Sequence, residues 1–261
     1  MTPEPHQDQD FPYWLVIAAV IAGYLMFRVV TDDLYLQVLT TLSKGVRITI
    51  FVTLVAFALA TVTGLLLAVA SLSRFIFFRQ IARFYIEIVR GIPMIVLLLY
   101  VAVVLAPALV ALWNTVAEAL GVDPIRTRDF SLMWRAIIAL MIGYSAFIAE
   151  VFRAGLQSVD VGQVEAAEAL GLSPWQRFRL VILPQAIRTI MPPLGNDFSA
   201  MIKDSSLAGI IGYMEFTRSS QILIVRTHET WLLLFGMGLF YFTICYPISR
   251  FSRAYERKKF A

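Results

Sequence analysis

Charged side chains are scarce in this sequence: Asp, Glu, Lys and Arg make up 15% of its 261 residues, where a soluble domain carries about 25%. That shortage, with 59% hydrophobic residues and a mean hydropathy of +0.75, excludes an ordinary soluble domain and points to a chain that crosses a membrane several times. Cysteine is nearly absent. The single Cys245 lies in an apolar run, so no internal disulfide can form, and its default role is that of a small buried hydrophobe. The only histidines, His6 and His228, are isolated in polar segments, so no metal site is expected. Motifs of hydrolytic chemistry are missing as well. There is no G-x-x-x-x-G-K-[ST] phosphate cradle, no H-E-x-x-H and no G-x-S-x-G, which argues against a membrane-embedded enzyme and against an ATP site in this chain. Residues 1–10 hold no Lys or Arg and no small-residue cleavage site follows the first apolar run, so the N-terminus does not read as a secretory signal. No repeat recurs at a period of about 20–50 residues. The net charge of +4 is read as topology, not as affinity for nucleic acid.

Long apolar runs dominate what is there. A spanning helix needs about 20 mostly apolar residues, and six segments qualify: 11–30, 46–71, 92–113, 132–151, 193–213 and 230–249. The expected fold is an all-α membrane protein of about six transmembrane helices. Segment 193–213 is the least regular, because Asn196, Asp197, Lys203 and Asp204 fall inside it. One set of connections carries Arg74, Arg79, Arg83 and Arg90, then Arg153, Arg177, Arg179 and Arg188, then Arg250, Arg253 and a basic C-terminus. That set is the richer in cations and is assigned to the cytoplasm. Connections 32–44, 114–131 and 215–229 then face outward. Six spans place the N-terminal tail inside too, although it has no basic residue.

Between the fourth and fifth apolar segments lies a polar stretch at about 156–192, longer than membrane chains usually allow a loop to be. Its residues 164–170 are rich in the helix formers Ala, Glu and Leu. Gly171 suits the left-handed turn that ends a helix. Ser173 stands as an N-cap, with Pro174 at the first helical position. Residues 175–182 form a second short helix, which Pro184 punctuates before Pro192 and Pro193 start the next span. The expectation is a helix-turn-helix on the membrane surface. Glu165 and Glu168 share a face, and the small Ala166, Ala167 and Ala169 would let a partner's backbone come close. Within the fifth apolar segment Asn196, Ser199, Lys203 and Ser206 recur at helical spacing. A charge at the centre of a span costs about 3 kcal/mol, so these residues and Asp204 are candidates for lining the path of a zwitterionic solute. Glu150 and Arg153 read as a local ion pair.

Residues 165–184 resemble the EAA loop of ABC-importer permeases, whose pattern is E-A-A, three residues, G, nine residues, I-x-L-P. Here it reads Glu165-Ala166-Ala167, Gly171, then Val181 in place of Ile, Leu183 and Pro184. Arg90-Gly91-Ile92-Pro93 resembles the R-G-x-P element of the polar amino acid subfamily, with Leu97 where a Gln is common. Leu194-Gly195-Asn196 and Lys203-Asp204-Ser205-Ser206-Leu207 resemble its L-G-N…K-D-T-S-L stretch, with Ser205 for Thr. The resemblance covers about 44–261 and implies a five-helix importer core, preceded by an additional span within 1–43. It implies a translocation subunit for polar amino acids in the bacterial inner membrane, multi-pass, with the EAA loop and C-terminus cytoplasmic. Glu165, Ala166, Ala167, Glu168, Gly171, Leu183 and Pro184 would be the ATPase-coupling residues. The implied partners are a pair of separate ATPase subunits that hold the ATP and Mg, a second permease chain, the same or homologous, and an extracytoplasmic solute-binding protein, all in or at a lipid bilayer. No cofactor belongs to this chain. The alternatives are a permease of the same kind for another small solute, or an ion-coupled secondary transporter, which should show inverted repeats that this sequence lacks.

Overall fold

Apolar runs of this length can satisfy their backbone in lipid only by bonding it to themselves. Among the described residues of the computed structural model, 13–31 and 33–260, every regular element is accordingly helical. The N-terminal tail, 1–12, lies outside the described residues. Helix α1 (Tyr13–Thr31) precedes the long α2 (Asp33–Ser71), and α3 (Ile76–Gly91) follows. A non-helical step at Ile92 and Pro93 separates α3 from α4 (Met94–Tyr100), which passes through a π-helical turn (Val101–Leu105) into α5 (Ala106–Leu120). Next come α6 (Leu132–Gln157), the short α7 (Val161–Ala169) and α8 (Pro174–Arg177), and a second π turn (Phe178–Ile182). The chain closes with α9 (Leu183–Asp204), a 3₁₀ stretch (Ser205–Ile211), α10 (Phe216–Thr227) and α11 (Thr230–Phe260).

Four stretches, Val38–Ser71, Met94–Leu120, Leu132–Gln157 and Thr230–Tyr255, are long and apolar enough to cross a membrane by length and composition. They coincide with the second, third, fourth and sixth expected spans. The first expected span coincides with α1. The fifth differs: its helix starts at Leu183, well before Pro192 and Pro193, and gives way to 3₁₀ geometry after Asp204. Segment 215–229, read as a connection, contains the helix α10.

The prolines explain the early start. Proline has no N–H, and its ring presses on the carbonyl four residues back. Twice the chain meets a proline with a π turn immediately before it. The Ala106 N–H donates to the Val101 carbonyl ahead of Pro107, and the Leu183 N–H donates to the Phe178 carbonyl ahead of Pro184. The wider turn makes room for the ring. Pro184, expected to end the second short helix, therefore leaves one unbroken helical segment from Pro174 to Asp204.

Helices α2 and α6 form the centre of the bundle. Val52, Ala56 and Ala60 pack with Ile137, Leu140 and Ile148, the small-residue facing that lets helices approach in a membrane. Closest approach falls at Gly64, where an added Cβ would stand 2.9 Å from the Ser145 carbonyl oxygen. Buried hydroxyls are satisfied inside their own helices: Thr53 donates to the Thr49 carbonyl at 2.8 Å and Ser205 to Ile202 at 2.7 Å. We expect Gly64→Val to drive the two helices apart and to destabilise the folded chain by about 1–3 kcal/mol, the range of overpacked cores, read as a lowered thermal midpoint in detergent.

At the start of α10, Glu215 is buried, with 1% exposure. It caps the helix by accepting the Thr217 N–H at 2.7 Å and the Arg218 N–H. Burial is the larger influence on its carboxyl, and the pKa is pushed from 4.5 up to about 7 although both N–H groups favour the ionised form. Tyr213 and Tyr241 are the other titratable groups that sense it. A raised pKa stabilises the fold fully below the unfolded value and loses that contribution as pH climbs through the folded value. Thermal stability should thus fall between about pH 5 and about pH 8, and Glu215→Gln, which keeps an accepting oxygen, should flatten that slope.

Candidate functional site

Two features stand out once the bundle is assembled: a helical hairpin and a partly open cavity with charged side chains in its lining. The hairpin is stiff for local reasons. Asp160 caps α7 by accepting the Gly162 N–H at 2.7 Å. At the other end of α7, Gly171 adopts φ +76, its N–H reaches the Glu168 carbonyl at 2.9 Å, and the Leu172 N–H reaches Ala167 at 3.2 Å. That is a Schellman stop, which favours glycine at the left-handed position. Ser173 then opens α8 with a capping box: its hydroxyl accepts the Gln176 N–H, and the Gln176 side-chain oxygen accepts the Ser173 N–H at 2.9 Å. An ion pair from Arg177 to Glu168 joins the two limbs. The base is fixed where α6 meets α9, since Gly155 admits Ile190 so closely that a Cβ there would collide with it at 2.3 Å.

The expected loop residues fall on different sides of this object. Glu165, Ala166 and Ala169 are exposed, and Glu165 forms no ion pair among the described residues. Ala167 is turned inward, with 4% exposure, and Glu168 is engaged by Arg177. Leu183 is half-buried and Pro184 exposed at the start of α9. Sequence reasoning missed the hairpin's apolar surface. Leu170 is 82% exposed and Trp175, stacked on Phe178, is 67% exposed. Two large apolar side chains beside a polar turn were the available signal, because such a patch marks an interaction site.

The cavity, about 480 Å³, opens where α3 breaks off before α4. Its walls come from the Gly91–Ile92–Pro93 step, from Tyr144 and Phe147 on α6, and from Asp197 and Asp204 on α9. The Arg90 guanidinium lies 5.7 Å over the Phe147 ring, a favourable placement for a cation. The Tyr144 hydroxyl donates to Asp204 at 2.8 Å. The Oδ2 atom of Asp197 is buried without a hydrogen-bond partner. Of the five expected pathway residues only Asp204 borders this space. Asn196 and Lys203 are exposed on other faces of α9, Ser199 is buried with its carbonyl toward Cys245, and Ser206 lies in the 3₁₀ stretch. Asp197 was read as a charge in the span, and Arg90 as a cytoplasmic cation within a motif, neither as a pathway residue. Glu150 and Arg153 form the expected local pair, at 2.5 Å.

A helical membrane bundle with a charged internal cavity and a rigid protruding hairpin is the architecture of a transporter's transmembrane subunit. The chain belongs to the family described as binding-protein-dependent transport system inner membrane component, which matches residues 60–260. It is similar to the probable amino-acid ABC transporter permease protein YckA of Bacillus subtilis (strain 168), at 33% identity over 217 residues, 82% of this chain and 87% of that one. Similarity to the glutamine transport system permease protein GlnP of Escherichia coli (strain K12) is 32% over 217 residues, 83% of this chain and 92% of the relative. An alignment with the inner membrane amino-acid ABC transporter permease protein YhdY of the same strain, 32% identical, covers 97% of this chain and 65% of that one, so it takes in α1. Among solved structures, an amino acid ABC transporter crystallised with histidines superimposes at a TM-score of 0.70 and 30% identity, covering 85% of this chain and 96% of that one.

The hairpin's stiffness is open to test. Gly171→Val should strain the left-handed position by roughly 1–2 kcal/mol and speed amide exchange in α7. The thermal midpoint of the bundle should change little.

Proposed function

We propose that this chain is the translocation subunit of an ATP-driven importer for amino acids, and that the hairpin around Gly171 is the seat of a separate ATPase. One observation carries the reading: the exposed Glu165–Leu170–Trp175 surface sits on a capped, ion-paired hairpin whose second limb continues without a break into α9, which carries Asp197 and Asp204. A motor gripping that surface moves the wall of the cavity directly. In this reading the hairpin and the C-terminus are cytoplasmic, in line with their arginines. Two ATPase subunits supply ATP and Mg from below, a second permease chain completes the pore, and an extracytoplasmic binding protein delivers solute from the other side. The names of YckA, GlnP and YhdY support amino acids as the cargo. The cavity supports it chemically, since a zwitterion needs one cationic and one anionic contact and the lining holds Arg90 together with two carboxylates. Residues Asp204, Asp197, Arg90 and Tyr144 are proposed to receive it. Of the remaining pathway candidates, Asn196 and Lys203 belong to exposed faces that the second permease chain or lipid would cover, whereas Ser199 is packed toward Cys245 and Ser206 is half-buried in the 3₁₀ stretch.

Glu165→Lys and Leu170→Asp each place an unfavourable charge on the gripped surface. Each should cut binding-protein-stimulated ATPase activity of the reconstituted complex by about tenfold or more while leaving the thermal midpoint of the purified chain unchanged. Wild-type stimulation in both variants would refute the docking surface.

A further inference from the structure

We propose that the cavity selects amino acids whose side chain is positively charged, and that Asp197 is the residue that reads that charge. The inference rests on the reading of the cavity as the solute site and adds the class of solute.

The charges on its wall do not balance for a neutral amino acid. One guanidinium, Arg90, shares the cavity wall with two carboxylates, Asp197 and Asp204. A zwitterion brings one negative and one positive group. Its carboxylate suits Arg90, which is already stabilised over Phe147. Its ammonium suits Asp204, where the Tyr144 hydroxyl occupies only Oδ2. Asp197 is left over. Its Oδ2 is buried and accepts no hydrogen bond, and no ion pair to it forms among the described residues. Lys203, two turns further along the same helix, is exposed and does not line the cavity.

A buried carboxylate without a cation is expensive and is relieved by pairing or by taking up a proton. A neutral amide side chain could donate a hydrogen bond to Asp197 but would leave its charge uncompensated. An acidic side chain would add a third negative group. A side-chain ammonium, guanidinium or imidazolium does both things required: it donates to Oδ2 and cancels the excess charge. Space is adequate, because about 480 Å³ falls within the roughly 300–1,000 Å³ typical of small-molecule sites.

The test is direct binding of labelled L-arginine, L-lysine, L-histidine, L-glutamine and L-glutamate to the full chain purified with its ATPase partner, without the solute-binding protein. Arginine and lysine should bind about tenfold or more tighter than glutamine, with glutamate weakest. Asp197→Asn should remove that advantage by weakening arginine about tenfold while glutamine changes less than about threefold. Asp197→Glu should preserve the order. Equal binding of glutamine and arginine to the wild type would overturn the selectivity, as expected if Asp197 simply holds a proton. An unchanged arginine-to-glutamine ratio in Asp197→Asn would overturn it as well. The underlying reading fails differently: if Arg90→Gln and Asp197→Asn both leave every affinity as it was, or if none of the five binds saturably, the cavity is not the solute site.

Discussion

Hydrocarbon offers a backbone amide nothing to bond to, and the architecture of this chain follows from how each departure from α-helix is accommodated. Two departures repair prolines: the π turns at Val101–Leu105 and Phe178–Ile182 sit directly before Pro107 and Pro184 and keep their helices going. Two others serve the interior. The helix break at Ile92 and Pro93 and the end of α9 at Asp204, where 3₁₀ geometry begins, both border the same cavity, and α4 touches the 3₁₀ stretch. Irregular backbone is tolerated at such depth where it lines a space that other polar groups can enter. The cavity is thus where the helical rule is relaxed, and it is also where Arg90, Asp197 and Asp204 come together.

How much of this could be read beforehand depended on the range of the interactions. The hairpin was legible because its determinants are local. Gly171 ends a helix through its own torsions, and Ser173 with Pro174 starts the next through a cap a few residues long. The positions of the α2, α6 and α11 spans were legible from hydropathy alone. Helix phase was not. Spacing on α9 gives two parallel stripes, Asn196–Ser199–Lys203–Ser206 and Asp197–Ala200–Asp204, and periodicity cannot say which faces inward. That is decided by what stands opposite: Tyr144 bonding Asp204, and Gly143, which leaves room on α6 for Met94. The continuation through Pro184 was equally hidden, because proline ordinarily ends a helix and a π turn has no sequence signature of its own.

Polar residues in this fold divide by what surrounds them. At the hairpin, Glu168 and Arg177 join two limbs near water, where such a pair contributes little free energy but fixes a geometry. Inside, Thr53 and Ser205 are neutralised by their own helix carbonyls and disturb nothing. Asp197 keeps its Oδ2 buried without a hydrogen-bond partner.

The unbroken segment from Pro174 to Asp204 is roughly 46 Å of helix, with the exposed Trp175 of the hairpin near one end and the acidic wall at the other. Such a lever transmits in both directions. In the proposed solute site, a molecule lodged between α6 and α9 would act as a wedge against tilting, and by thermodynamic reciprocity whatever it does to the tilt, the tilt does to its affinity. If the proposed ATPase grips the hairpin, its nucleotide cycle would sense cargo through the stiffness of one helix, without a separate sensor.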